Sequence, residues 1–273
     1  MLIRKAAVAG SWYPGSAGSL ARAVDGYLES AGPAEAGPDP VTAIVAPHAG
    51  LIYSGPVAAH AYRALRGQSF EVALLVGPSH FVGFAGIATA GAAGFETPLG
   101  VAIVDEACQG ALAAALPGLG TLPKAHAREH SLEMQLPFLQ RVAPAAKIVP
   151  LLMGYQTAET ARTLGDALAA VARGRRAVLV ASTDLSHYYD ARTAADLDAV
   201  VLDHIARLDD EGLQRALDVR PEHACGGGPT VAVLRAARLL GAARATILKY
   251  GDSGDVSGEK SSVVGYVAAA VGS

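Results

Sequence analysis

Short uninterrupted runs of Val, Ile, Leu and Ala alternate along the chain with longer stretches whose apolar positions recur every three or four residues. A run that is apolar at successive residues has no solvent face, so it predicts a strand buried on both sides of a sheet. The three-to-four period predicts a helix with one buried stripe. Strands are predicted at 42–46, 71–76, 147–152, 176–181, 246–250 and 262–269, the last two as possible neighbours. Helices are predicted at 20–30, 56–65, 105–116, 131–141, 158–172, 191–208 and 229–240. This alternation is the pattern of a layered α/β sandwich with a mostly parallel or mixed central sheet flanked by helices. Nothing interrupts it sharply, and 1–273 is read as a single domain.

Three prolines punctuate the helices. Pro56 and Pro229 are expected in first helical turns, where the missing N–H has no partner to lose. Pro137 is expected to kink or divide the 131–141 helix. Residues 31–40, rich in Pro, Gly and Ala, read as a surface connection.

Composition sharpens this in one direction and closes others. Of the 273 residues 51% are hydrophobic and only 17% charged, enough apolar side chain for a large core. A net charge of −3 and the lack of a Lys/Arg stripe argue against nucleic acid as a partner. No uncharged run is long enough to span a membrane, and Met1 to Gly10 lacks the apolar core of a signal peptide. The two cysteines, Cys108 and Cys225, sit in dissimilar contexts, so a structural disulfide is not expected and a reducing cytoplasm is.

The chemistry concentrates at strand ends. His48 in Ala46-Pro47-His48-Ala49-Gly50, His80 in Gly77-Pro78-Ser79-His80, and His187 in Ser182-Thr183-Asp184-Leu185-Ser186-His187 each follow the carboxyl end of a predicted buried strand. In an open parallel sheet those ends share one crevice, so strands far apart in sequence can deliver the three imidazoles to one place. A lone histidine is ordinarily a hydrogen-bonded loop residue; three in equivalent positions suggest a metal or acid–base site. Cys225 adds a fourth element, just before a helix start whose N–H groups and dipole favour a thiolate. The bland alternative is a small buried hydrophobe, which is the reading adopted for Cys108.

Glu129-His130-Ser131-Leu132-Glu133 is denser in polar groups than its apolar sequel requires. On a helix His130 and Glu133 would share a face, and with Glu129 they are read either as groups that orient the ligands or as a surface capping arrangement. Asp184 is read the same way. His60, His126 and His204 are assigned no role, and His223 is noted only for its nearness to Cys225. The glycines 226–228 lack the residues of a phosphate-binding loop, and Asp252-Ser253-Gly254-Asp255 lacks calcium-loop spacing.

Taken in order, Ala7-Gly10-Ser11-Trp12-Tyr13 and the motifs around His48, His80, Glu129, His187 and Cys225-Gly226 resemble the Memo family nearly end to end. The resemblance implies a fold similar to the catalytic subunit of class III extradiol dioxygenases, which hold Fe(II) with two histidines and a carboxylate. By that resemblance His48 and His80 match the two metal histidines and His187 the acid/base, with Trp12 in the pocket. The carboxylate ligand's place is taken by Cys225. The ligand set implied is therefore His48, His80 and Cys225, for iron first, copper next, with zinc chemically acceptable. Prokaryotic relatives are associated with an AMMECR-like protein and a radical-SAM protein, which the resemblance offers as partners.

Three readings of function follow. The first is a metal-dependent redox enzyme, dioxygenase-like, acting on an unknown small molecule. The second is a peptide- or protein-binding module using the same pocket, as the phosphotyrosine-peptide binding attributed to animal Memo proteins implies. Only Arg128 lies within a motif stretch to meet such an anion. The third is a metal-dependent hydrolase with Glu129 or His187 as base.

Overall fold

A computed structural model describes residues 2–32 and 37–273; the connection expected over 31–40 falls outside them at 33–36. The strands are β1 (Ile3–Arg4), β2 (Val41–Ala46), β3 (Val72–Pro78), β4 (Ile87–Thr89), β5 (Gly94–Thr97), β6 (Gly100–Ile103), β7 (Gly120–Thr121), β8 (Lys147–Met153), β9 (Ala177–Ser182), β10 (His187–Tyr189), β11 (Arg244–Asp252) and β12 (Val263–Gly272). The helices are α1 (Ala17–Ser30), α2 (Leu51–Arg63), α3 (Glu106–Ala115), α4 (Pro123–Ala127), α5 (Leu136–Val142), α6 (Ala158–Ala172), α7 (Ala191–Ala206), α8 (Asp210–Val219), α9 (Gly227–Leu239) and α10 (Gly254–Ser257).

The apolar runs predicted as strands became β2, β3, β8, β9, β11 and β12. Four of them, in the order β2–β9–β3–β8, pair in parallel at the centre of the larger sheet. β12 pairs antiparallel with β2 and with β11, so the two last predicted strands are indeed neighbours. Alternate residues of one strand serve two cores: Val72, Leu74 and Val76 of β3 face one, and Ala73 and Leu75 the other. Burial on both faces explains the continuous apolar reading. The first core carries α3, α6, α7, α8 and α9; the second carries α1, α2 and α5.

Proline placement departs from expectation once. α2 begins at Leu51 behind Gly50, which leaves Pro56 inside the helix rather than in its first turn. The early start is held by Leu51 N–H donating to Trp12 O at 2.8 Å and Ser54 Oγ donating to Ala49 O at 2.8 Å. Pro229 is the third residue of α9, within its first turn. Pro137 divides the stretch as expected, separating a 3₁₀ turn at Glu133–Gln135 from α5. α8 was not predicted, because only Leu213 and Leu217 on its buried face are large and apolar, too few repeats to show a period.

The consequence for function is directional. Because β2, β9, β3 and β8 run in parallel, their carboxyl ends open on one edge. That edge receives the segments beginning at Pro47, Thr183, Ser79 and Gly154. Cys225 is brought there from the other direction, by the turn that leads into α9. Gly226 permits the approach, since a Cβ at that position would overlap Ser182 O at the end of β9.

Candidate metal centre

The histidine following β2, His48, is almost completely buried. Its Nδ1 lies 2.8 Å from Ser182 Oγ. That hydroxyl donates its single hydrogen to Ser131 O at 2.6 Å and accepts from Gln135 Nε2 at 2.8 Å. The lone pair that remains can only accept, so Nδ1 of His48 carries the proton and Nε2 is the free ligand atom. Burial, then the neighbouring His80, hold this imidazole well below its ordinary pKa, which keeps it neutral.

His80, following β3, is fixed by a different acceptor. Glu129 Oε1 lies 2.9 Å from its Nδ1, and Oε2 accepts its backbone N–H at 2.6 Å. Oε1 also accepts the N–H groups of His130 and Ser131, both at 2.9 Å. Burial alone would raise the Glu129 carboxyl, but His80 and the backbone donors outweigh it and hold the group at about 2. An ionised carboxylate can only accept, so His80 too presents Nε2. This is the carboxylate–histidine arrangement that orients a metal ligand.

His130 is a third imidazole of the cluster. Its ring stacks on His80, with centroids 4.5 Å apart, and lies 5.6 Å from the ring of His48. Its buried Nδ1 makes no hydrogen bond, and burial followed by His48 and His80 lowers its pKa to about 4. The expectation that His130 would share a helical face with Glu133 is corrected. Residues 129–132 precede the 3₁₀ turn and are not helical, so the two side chains diverge.

Glu133 is likewise corrected as a pocket residue. It is fully buried against the N-terminal segment, pairing with Arg4 and accepting from Tyr13 Oη at 2.6 Å and Ala7 N–H at 2.8 Å. That segment lays Trp12 on His130, ring centroids 4.2 Å apart, so Trp12 does reach the cluster and Glu133 acts on it through the segment.

The thiol side has another character. Cys225 Sγ is 3.2 Å from His48 Nε2 and accepts the Asp184 N–H at 3.3 Å. Asp184 Oδ1 accepts the N–H groups of His48 and Ala49, while Oδ2 stands 4.0 Å from His48 Nε2. Burial raises the Asp184 carboxyl. Burial, then Asp184, pushes the Cys225 thiol far up. The expected helix-start thiolate is thus overruled, because α9 begins two residues later and the buried carboxylate lies closer. A bound cation reverses that sign and deprotonates a coordinating thiol.

Among the described residues, two groups have donor atoms all within 4.8 Å of one another: His48, His80 and His130, and His48, Asp184 and Cys225. They share His48. The expected trio of His48, His80 and Cys225 is divided between them. Three imidazoles with a thiol and a carboxyl suit a transition metal, and the buried His130 Nδ1 makes no hydrogen bond, with Glu129 Oε1 3.5 Å away. His187 stands beside this set, half-buried, with Nδ1 2.8 Å from Leu185 O and Nε2 therefore free.

Several supporting residues had no role in the sequence reading. Ser182 and Gln135 lie within or beside the quoted motifs, but their partners are more than forty residues away. Gln156 grips the Cys225 turn, donating to Cys225 O and accepting from Gly228 N–H, both at 2.7 Å. Both cysteines are free, and Cys108 is a buried core residue of α3, as expected. His126 is buried, bonded through Nε2 to Ala88 O at 3.0 Å. Among the described residues no helix is long and apolar enough to cross a membrane.

Comparison with known proteins bears on the fold and the family. An uncharacterized protein of Escherichia coli K12, solved by crystallography, matches the fold with a TM-score of 0.51 at 17% identity, over 84% of this chain and 99% of that one. MEMO1 family proteins of Methanosarcina mazei, Methanopyrus kandleri and Nitrosopumilus maritimus are 40%, 38% and 35% identical to it over 274, 275 and 269 residues. Those alignments cover 98%, 97% and 97% of this chain, and 98%, 97% and 98% of the relatives. With the family model for Memo-like proteins matching residues 4–270, the chain belongs to the Memo family.

Proposed function

We propose that the chain is a metal-dependent redox enzyme of the cytoplasm that acts on a small organic molecule, with iron as the first candidate metal and copper the second. The observation that carries this reading is the pair of fixed tautomers. His48 and His80 each commit Nδ1 to an acceptor, and His48 joins His80 and His130 on one side to Asp184 and Cys225 on the other. His48, His80 and His130 would hold the ion on one side and Cys225 or Asp184 on the other. A mixed nitrogen, sulfur and carboxylate set suits a transition metal better than magnesium or calcium.

When bound, such a metal supplies one-electron and dioxygen chemistry. The chain's own residues do the rest. His187, its Nδ1 proton engaged by Leu185 O, takes a proton from the substrate at Nε2 and returns it to the product. Glu129 keeps His80 in place, and Trp12 and Phe81 wall the His130 side with apolar surface. These roles need no charged anchor other than Arg128, whose guanidinium lies 5.0 Å from the Phe81 ring centroid.

The test is metal analysis of protein purified without air, coupled to oxygen consumption. The wild type is expected to hold roughly one ion per chain, and His48→Ala to hold almost none. Equal metal content in the two, or a fully loaded protein that consumes no oxygen with any phenolic or thiol reductant, overturns the reading.

A further inference from the structure

Asp198 has no place in the centre just described, yet it is a fully buried carboxylate in the middle of α7, among Ala194, Leu197 and Val201 on the face that packs against the core. A carboxylate in such a position is costly unless each oxygen has a partner. Oδ1 accepts the Ser186 N–H at 2.9 Å, and Oδ2 accepts the Tyr250 hydroxyl at 2.9 Å. Gly265 of β12 lies directly beneath, and a Cβ there would overlap Asp198 Oδ2. The sheet has thus left a glycine-sized gap for the carboxylate.

The Ser186 N–H and the Leu185 C=O belong to one peptide unit, which is planar, so holding one end sets the direction of the other. Leu185 O is the acceptor of His187 Nδ1 at 2.8 Å. A carboxylate, a single rigid peptide plane and an imidazole therefore form one line of hydrogen bonds, and such a line is cooperative. The flanking backbone is tied by Leu185 N–H to Gly265 O at 2.8 Å and Gly265 N–H to Ser186 O at 3.0 Å. The next residue, Tyr188, is held at φ 67, a conformation that a bulky side chain adopts only where its surroundings impose it.

We propose that Asp198 is the positioning residue for His187, acting through the Leu185–Ser186 peptide plane as a carboxylate would in a direct carboxylate–histidine pair. This rests on the reading of His187 as the acid–base group, but its geometry stands without a metal.

Long-range proton–nitrogen NMR correlation reads the tautomer of His187 in metal-free protein. The wild type is expected to show the proton on Nδ1, Asp198→Ala to lose that preference, and Asp198→Asn, which retains an oxygen for Ser186, to restore it. Metal content is expected to be unchanged in Asp198→Ala, while metal-dependent turnover falls about 100-fold through misplacement of the imidazole. An unchanged tautomer in Asp198→Ala overturns the proposal even if the metal site proves correct. If Asp198→Ala fails to fold, a wild-type His187 carrying its proton on Nε2 overturns it alone. A protein that binds no metal but shows the tautomer change defeats the redox reading and leaves Asp198 as the positioning residue.

Discussion

The imidazole side and the thiol side of the centre are prepared for a cation in opposite ways. His48 and His80 have their tautomers set by Ser182 and Glu129, and burial keeps His48 and His130 neutral. At His48 and His80 the Nδ1 partner is fixed before any ion arrives. Burial instead pushes Asp184 toward its protonated form, and burial followed by Asp184 does the same to Cys225. Binding there requires loss of a proton. One half of the site is thus preorganised by its hydrogen bonds, while the other couples metal uptake to proton release.

The largest expected effect exposes this difference in the metal-free protein. An unfolded histidine protonates near 6.5, whereas folded His130 and the remote buried His126 resist down to about 4. Between those values the unfolded chain binds protons that the folded chain refuses, so stability falls as pH drops from 6.5 to 4, by about 3 kcal/mol for each histidine. Asp184, whose carboxyl is raised, works against that trend. The thiol side acts at the other end. Folded Cys225 stays protonated where the unfolded thiol ionises, so stability falls as pH rises above 9. Urea unfolding across pH is expected to show both limbs, with Cys225→Ala leaving the acid limb intact and shrinking the alkaline one, to which buried Cys108 and the buried tyrosines also contribute. A flat profile from pH 7 to 4.5 would remove the argument for neutral buried imidazoles.

The strand-end logic explains why much of this was legible in the sequence. β2, β3 and β9 were visible as apolar runs because both of their faces are buried, and the residues that follow them had to share an edge. His48, His80 and Asp184 were found that way. His130 was misjudged because its place depends on where a helix begins, and the polar stretch before α5 proved to be a turn. Ser182 and Gln135 were silent because a hydrogen bond between distant segments leaves no local period. Strands of two to four residues, such as β1, β4 and β7, were unreadable because a period needs more repeats than they contain.

A smaller effect should follow from disturbing the support of the imidazole side alone. Glu129→Gln keeps the shape but replaces one accepting oxygen with a donor, which meets His80 or the His130 and Ser131 N–H groups. Metal affinity, measured by competition with a chelator, is expected to fall about 10- to 100-fold, as when other groups that orient metal ligands are removed. Unchanged affinity would place the His80 tautomer under the control of something other than Glu129.

The thiol side is then separated by its proton. Wild-type affinity is expected to rise with pH because Cys225 must ionise to bind, whereas His48 and His130 are already neutral and add nothing near pH 7. In Cys225→Ala the slope of log affinity against pH should drop by about one, the single proton that thiol releases, leaving what the remaining ligands contribute. That change is about tenfold in affinity per pH unit, the smallest of the three effects. It isolates the ligand that distinguishes the two halves. If the slope is the same with and without the thiol, Cys225 is not a thiolate ligand. The ion then belongs to the three imidazoles, and Asp184 supplies the opposing donor.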